Sequence, residues 1–231
     1  TVIIPSSVTK IGDYAFEGCS SLTTIKIPSS VQIIGDYAFK ECSSLTIITI
    51  PPSVTYIGKN CFEDCAKLEQ VTIPPSLTRI ESYCFSYCKS LTEVTIPSSV
   101  SEILDNSFAE CESITKVNFE SPYSLTSIGY KAFFGCLSLV EILIPSTVFY
   151  IRENAFCQCM SLVKVEFEIP SSLESIEDFA FQGCSSLIEV TIPETVMTMS
   201  DNAFKECKSL KQLKIPSALN SKFLRIRKQT K

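Results

Sequence analysis

Nine phenylalanines recur along the 231-residue chain, at Phe16, Phe39, Phe62, Phe85, Phe108, Phe133, Phe156, Phe181 and Phe204. Six of the eight intervals between them are 23 residues and the other two are 25. A cysteine follows each Phe by three positions, and a leucine (Ile114 once) follows by six. Apolar residues nine and eleven after each Phe, such as Ile25 and Ile27 or Val94 and Ile96, complete the frame. A fixed period of this length means one structural unit repeated, each burying its apolar face against its neighbours. The chain therefore reads as a solenoid of nine rungs, numbered here by their Phe.

Within residues 22–44, Leu22-x-x-Ile25-x-Ile27 alternates aliphatic and polar residues, the pattern of a short strand with one buried face. Pro28 ends that strand because it lacks the N–H a ladder needs. Val31 and Ile34 then turn inward along a second extended segment. Asp36 is expected to cap a short helical turn, Asp-Tyr-Ala-Phe, with Asp13, Asp105, Asp178 and Asp201 in the same column. Glu81, Leu104, Arg152, Glu177 and Ser200 replace the preceding Gly35 in other rungs, so that position does not require a positive φ.

This frame, Leu-x-x-Ile-x-Ile-Pro-x-Ser-Val-x-x-Ile-Gly-x-x-Ala-Phe-x-x-Cys, is complete in residues 22–42 and closely followed in 91–111 and 139–159. It resembles the leucine-rich repeat of the Treponema pallidum type found in BspA-like surface proteins. The resemblance covers residues 1–219 as a single array. It implies an α/β-type right-handed arc, with rungs of 23–25 residues, a parallel concave sheet and short helical turns on the other side. It also implies a cell-surface or secreted protein that adheres to host or neighbouring-cell proteins, matrix proteins included. Two insertions, around Glu120-Ser121 and Glu168-Ile169, depart from the pattern, as does the segment 220–231, a basic tail or degenerate cap. The chain opens on Thr1–Pro5, which matches the end of a repeat strand, so an N-terminal cap is not expected and no signal peptide is visible.

Catalysis finds no support in the composition. There is no histidine, the usual general base of hydrolases and the commonest metal ligand, and no glycine-rich phosphate loop. No cofactor is expected. Nor is nucleic acid: outside the tail, 15 basic residues face 25 acidic ones. No apolar run is long enough to span a membrane.

Nine of the twelve cysteines share one column, where an unbroken ladder of an odd number offers no unique pairing. They are expected to be buried free thiols that pack as small hydrophobes. Cys61 and Cys84 replace the column alanine on adjacent rungs, four residues before Cys65 and Cys88. Small-residue filling is the preferred account of this group over a four-cysteine zinc site.

Partner contacts are expected on exposed columns. Eight residues after Phe, Glu93, Lys116, Glu141, Lys164 and Glu189 alternate in sign, which suggests a ladder of cross-strand ion pairs. Seven after Phe, rungs six to eight place Val140, Val163 and Ile188 where other rungs carry Thr, Glu or Lys. Leu143 should join them on the concave side, while Tyr130, Phe134, Phe149 and Tyr150 add aromatic surface on the same rungs. These residues form the candidate partner or self-association site, with the insertions at its rim. An intracellular assembly scaffold is the other reading, in keeping with reduced cysteines.

Overall fold

The computed structural model describes residues 2–219; the expectation for 220–231 lies outside them. Each repeat contributes two short strands. The first begins eight or nine residues after Phe, as in Ile47–Thr49, Glu93–Ile96 and Lys164–Phe167. The second lies five to six residues before the next Phe, as in Ile33–Ile34, Glu102–Ile103 and Ser175–Ile176. Every strand pairing is parallel and joins equivalent positions of successive rungs, for example Val117 with Val94 and Ile151 with Ile176. Both insertions leave the register intact: Ile103 still faces Ile128, 25 residues on. The result is a parallel solenoid with a first sheet, a second sheet and a third side made of turns.

Why the sheets form where they do follows from the alternation. In Glu93–Ile96 the side chains of Val94 and Ile96 are buried and those of Glu93 and Thr95 exposed. In the rungs without insertions the proline after the first strand opens a turn whose closing N–H belongs to the Val column, as in Val31 to the Pro28 carbonyl at 3.0 Å. The serine of Pro-x-Ser-Val then reaches backward: Ser30 Oγ donates to the Val8 carbonyl at 2.6 Å, and Ser99 Oγ to Leu77 at 2.6 Å.

The third side is not helical. Between Gly35 and Cys42, alternate N–H groups close turns within the rung (Lys40 to the Tyr37 carbonyl, 3.1 Å; Cys42 to Phe39, 3.2 Å). The others donate to the next rung: Tyr37 to the Lys59 carbonyl, Phe39 to Cys61 and Glu41 to Glu63, at 2.8–2.9 Å. Positive φ at Tyr37 (58°) and Glu41 (59°), repeated at equivalent positions along the array, is incompatible with a right-handed helix. Among the described residues, only 217–219 are helical. Asp36 accordingly does not cap its own turn. Its Oδ1 accepts the N–H of Lys59 at 2.9 Å, Asp13 serves Asp36 at 3.1 Å, and Asp105 serves Tyr130 at 3.0 Å. The column aspartates clasp rung to rung.

The core is one continuous column. All nine phenylalanine rings stack, with centroids 5.1–5.4 Å apart and planes within 9°. This lies in the range of favourable offset stacking, which adds about 0.5–1.5 kcal/mol per pair beyond burial. Leu45, Ile48, Ile50 and their equivalents fill the space between the stack and the sheets.

Candidate partner-binding surface

Each candidate residue owes its place to its column. Val140, Val163 and Ile188 stand immediately before the first-sheet strands Glu141–Ile144, Lys164–Phe167 and Glu189–Thr191. The leucine before each points inward, so these side chains turn out at the corner between the turn side and the first sheet. Backbone bonds hold them in register: Val163 N–H donates to the Val140 carbonyl at 2.8 Å. Leu143 points out of the sheet itself. All four are 39–48% exposed, a large fraction for aliphatic side chains.

The aromatic candidates lie elsewhere. Phe134 is half-buried on the turn side, where Lys131 Nζ sits 5.1 Å from its ring and 5.2 Å from that of Tyr130. Tyr150 opens the second-sheet strand Tyr150–Ile151 with Phe149 just before it, and Arg152 packs over the Tyr150 ring at 4.6 Å. The seven candidates are therefore spread over three sides, and only the four aliphatic ones share a region.

Two features of that region escaped the sequence reading. Met160, three residues before Val163, is exposed, and Leu137 is its half-buried equivalent one rung earlier. Both replace the serines, alanine or charged residues of other rungs, which was the available signal. The second feature is Phe119 and Phe167, which replace the usual isoleucine in the rungs that carry insertions. Phe167, Ile169 and Leu143 line a groove of about 520 Å³ with Lys164, Glu166 and Lys214, and Ile169 on the second insertion is 87% exposed. The insertions follow the first-sheet strands, whereas Val140, Val163 and Ile188 precede them. The second insertion thus borders Leu143 and lies across the sheet from the other three.

The charge column pairs differently from expectation. Register sets Lys116 beside Glu93 and Glu141, and Lys164 beside Glu141 and Glu189. Among the described residues no such cross-strand pair closes within 4 Å. Lys164 Nζ instead meets Glu166 on its own strand at 2.6 Å. Glu166 lies two residues along the same face, and both side chains remain in solvent, where neither geometry gains much.

All twelve cysteines are free. From rung two onward the column thiols donate to the Phe carbonyl of the preceding rung, from Cys42 to Phe16 (3.2 Å) through Cys207 to Phe181 (3.1 Å). Burial pushes the Cys42 thiol up to about 11 and holds Cys61, Cys84 and Cys88 well above the ordinary thiol range. Among the described residues, no three of the His, Cys, Asp or Glu side chains converge as a metal site would need.

Parallel rungs, a leucine column and an outward-facing strand column define a leucine-rich repeat scaffold. Sequence comparison gives the family. The model of the BspA type leucine rich repeat region matches residues 1–115 and 102–224 in six copies, and the chain belongs to that family. Among solved structures, a leucine-rich repeat protein from Bacteroides ovatus is 30% identical over 93% of this chain and 72% of its own, with a TM-score of 0.52. A leucine rich cell surface protein from Faecalibacterium prausnitzii is 29% identical over 96% and 73%, with a TM-score of 0.51. The T. pallidum leucine rich repeat protein is 29% identical over 80% and 77%, with a TM-score of 0.57. No curated protein sequence matches the chain. No helix among the described residues is long and apolar enough to cross a membrane.

Proposed function

We propose that this chain is a non-enzymatic, adhesin-like scaffold displayed at a cell surface, binding a protein partner through the apolar corner of rungs six to eight. The observation that carries the reading is the run of Val140, Val163 and Ile188, exposed on three consecutive rungs where the repeat otherwise places Thr, Glu or Lys. Contiguous exposed aliphatics mark contact surfaces, and anchors of this kind carry most of an interface's affinity. Similarity to the F. prausnitzii cell surface protein supports the location. The test is capture of extracellular-matrix and cell-surface proteins by immobilised chain. Val163→Asp with Ile188→Asp is expected to abolish capture, or self-association, and to leave the fold unchanged. Capture undiminished by the double substitution would reject the corner as the site.

An intracellular scaffold that organises partners is the second reading, favoured by the twelve free thiols. Fractionation of the source cells separates the two: recovery in the surface fraction supports the first, recovery in the cytosol the second.

A further inference from the structure

The charge of the molecule is segregated by side. The turn side, from four residues before each Phe to two after, carries fourteen carboxylates against five cations. The rest of residues 1–219 is nearly balanced, with eleven acids and ten bases. Among the described residues, ten of the fourteen carboxylates have no cation within 4 Å: only Glu41, Glu63, Glu81 and Glu177 do. The same side also displays tyrosines. Tyr83 and Tyr87, on one rung, are both exposed. Each has a positive φ (58° and 60°).

The surroundings of Tyr87 are specific. Asp64 and Glu110 occupy its column on the rungs before and after, also at positive φ (57° and 59°). Backbone bonds fix the three in line: Asp64 N–H donates to the Ser86 carbonyl at 2.9 Å, and Tyr87 N–H to Ala109 at 2.8 Å. Rungs of a parallel ladder lie about 4.8 Å apart, so a ring stands between two carboxylates at that spacing. Asp105, exposed, adds a third carboxylate on the side of Tyr83. Rings on this side already accept cations elsewhere: Lys40 lies 5.6 Å from the Tyr37 ring, and Lys205 5.7 Å from Phe179. Among the described residues, no cation lies over Tyr83 or Tyr87.

We propose that the turn side of rungs three to five, centred on Tyr87 between Asp64 and Glu110, docks an arginine-rich polypeptide segment. A guanidinium stacks its plane on the tyrosine ring while its N–H fork meets a flanking carboxylate. An ammonium offers neither the plane nor the fork, so arginine is preferred to lysine. This surface is separate from the apolar corner, and its success or failure leaves that reading untouched.

The test is fluorescence anisotropy of labelled nona-arginine and nona-lysine peptides titrated with the whole chain at low and physiological salt. Nona-arginine is expected to bind at least fivefold more tightly than nona-lysine, and both to weaken as salt rises. Tyr87→Ala, and Asp64→Asn with Glu110→Gln, should each weaken nona-arginine binding about tenfold with an unchanged circular dichroism spectrum. Glu141→Gln with Glu189→Gln on the first sheet, an equal loss of charge, should change it less than twofold. Equal weakening by the two double variants, or no effect of Tyr87→Ala, would overturn the proposal in favour of diffuse attraction to an acidic rod. If Arg225→Gln with Arg227→Gln tightens nona-arginine binding tenfold, the chain's own basic segment is the occupant and the proposal of an external partner fails.

Discussion

The Sγ of Cys88 lies 3.3 Å from the carbonyl oxygen of Phe62, one rung earlier, and both residues are buried. The column cysteine is therefore a hydrogen-bond donor between rungs as well as a small core residue. Native protein is expected to expose few thiols to a charged disulfide reagent, Cys19 foremost, and all twelve after unfolding without reductant. Near-complete oxidation in the native protein would contradict this arrangement.

Because burial holds these thiols protonated, stability should fall in alkali. The unfolded chain ionises its cysteines near pH 8.5, whereas Cys42 in the fold does so only near 11 and the deeper thiols higher still. Above that unfolded value the native state binds more protons than the unfolded one, so each unit of pH lowers stability by up to about 1.4 kcal/mol per thiol. Below it the contribution is complete. The expected outcome is a denaturation midpoint level from pH 6 to 8 that drops steeply above 9, and less steeply in Cys88→Ala.

Phe85→Ala should cost about 3–5 kcal/mol, since the ring is buried between Phe62 (5.4 Å) and Phe108 (5.3 Å) and rungs pinned by backbone bonds cannot close the cavity. Denaturant unfolding measures it. A loss below 1 kcal/mol would show that the stack relaxes.

Ser99→Ala removes the donor to Leu77 and should cost about 1 kcal/mol by the same assay. Replacing Glu93 and Lys116 together by Gln should change stability by less than about 0.5 kcal/mol, because their side chains do not close on each other.

Gly183 adopts φ +72°, and a Cβ there would fall 2.8 Å from Gln158 Nε2. Gly183→Ala is expected to lose about 1 kcal/mol through the backbone alone, as the amide can swing aside. Equal stability would mean the turn tolerates the left-handed region without penalty.

The strands, the Phe stack, the free-thiol column and the exposure of Val140, Leu143, Val163 and Ile188 were legible because burial enforces strict alternation at a fixed period. The turn side was misread as helical. Its sequence, Asp-Tyr-Ala-Phe, suits a helix locally, and only rung-to-rung hydrogen bonds make the alternative conformation worthwhile. A signal existed nonetheless. Asn60, Asn106 and Asn154 share one column, and Gly18, Gly135 and Gly183 another, the residue types that tolerate positive φ most readily. The charge column was misjudged for a different reason: register fixes Cα positions, whereas solvated lysine and glutamate side chains choose their own partners. Scattering of Phe134, Phe149 and Tyr150 over other sides was readable from their columns, since each sits at a different distance from its Phe.

The forward-donating N–H groups give the turn side an electrical sense of its own. Up to three peptide units per rung align there, all with their hydrogens toward the C-terminal end and their oxygens toward the N-terminal end. Each peptide unit carries about 3.5 D. On that side their sum is a local dipole opposite in sense to that of an α-helix along its own chain, while elsewhere in the rung groups such as Gln32 N–H to the Thr9 carbonyl and Gly35 N–H to Ile11 point the other way.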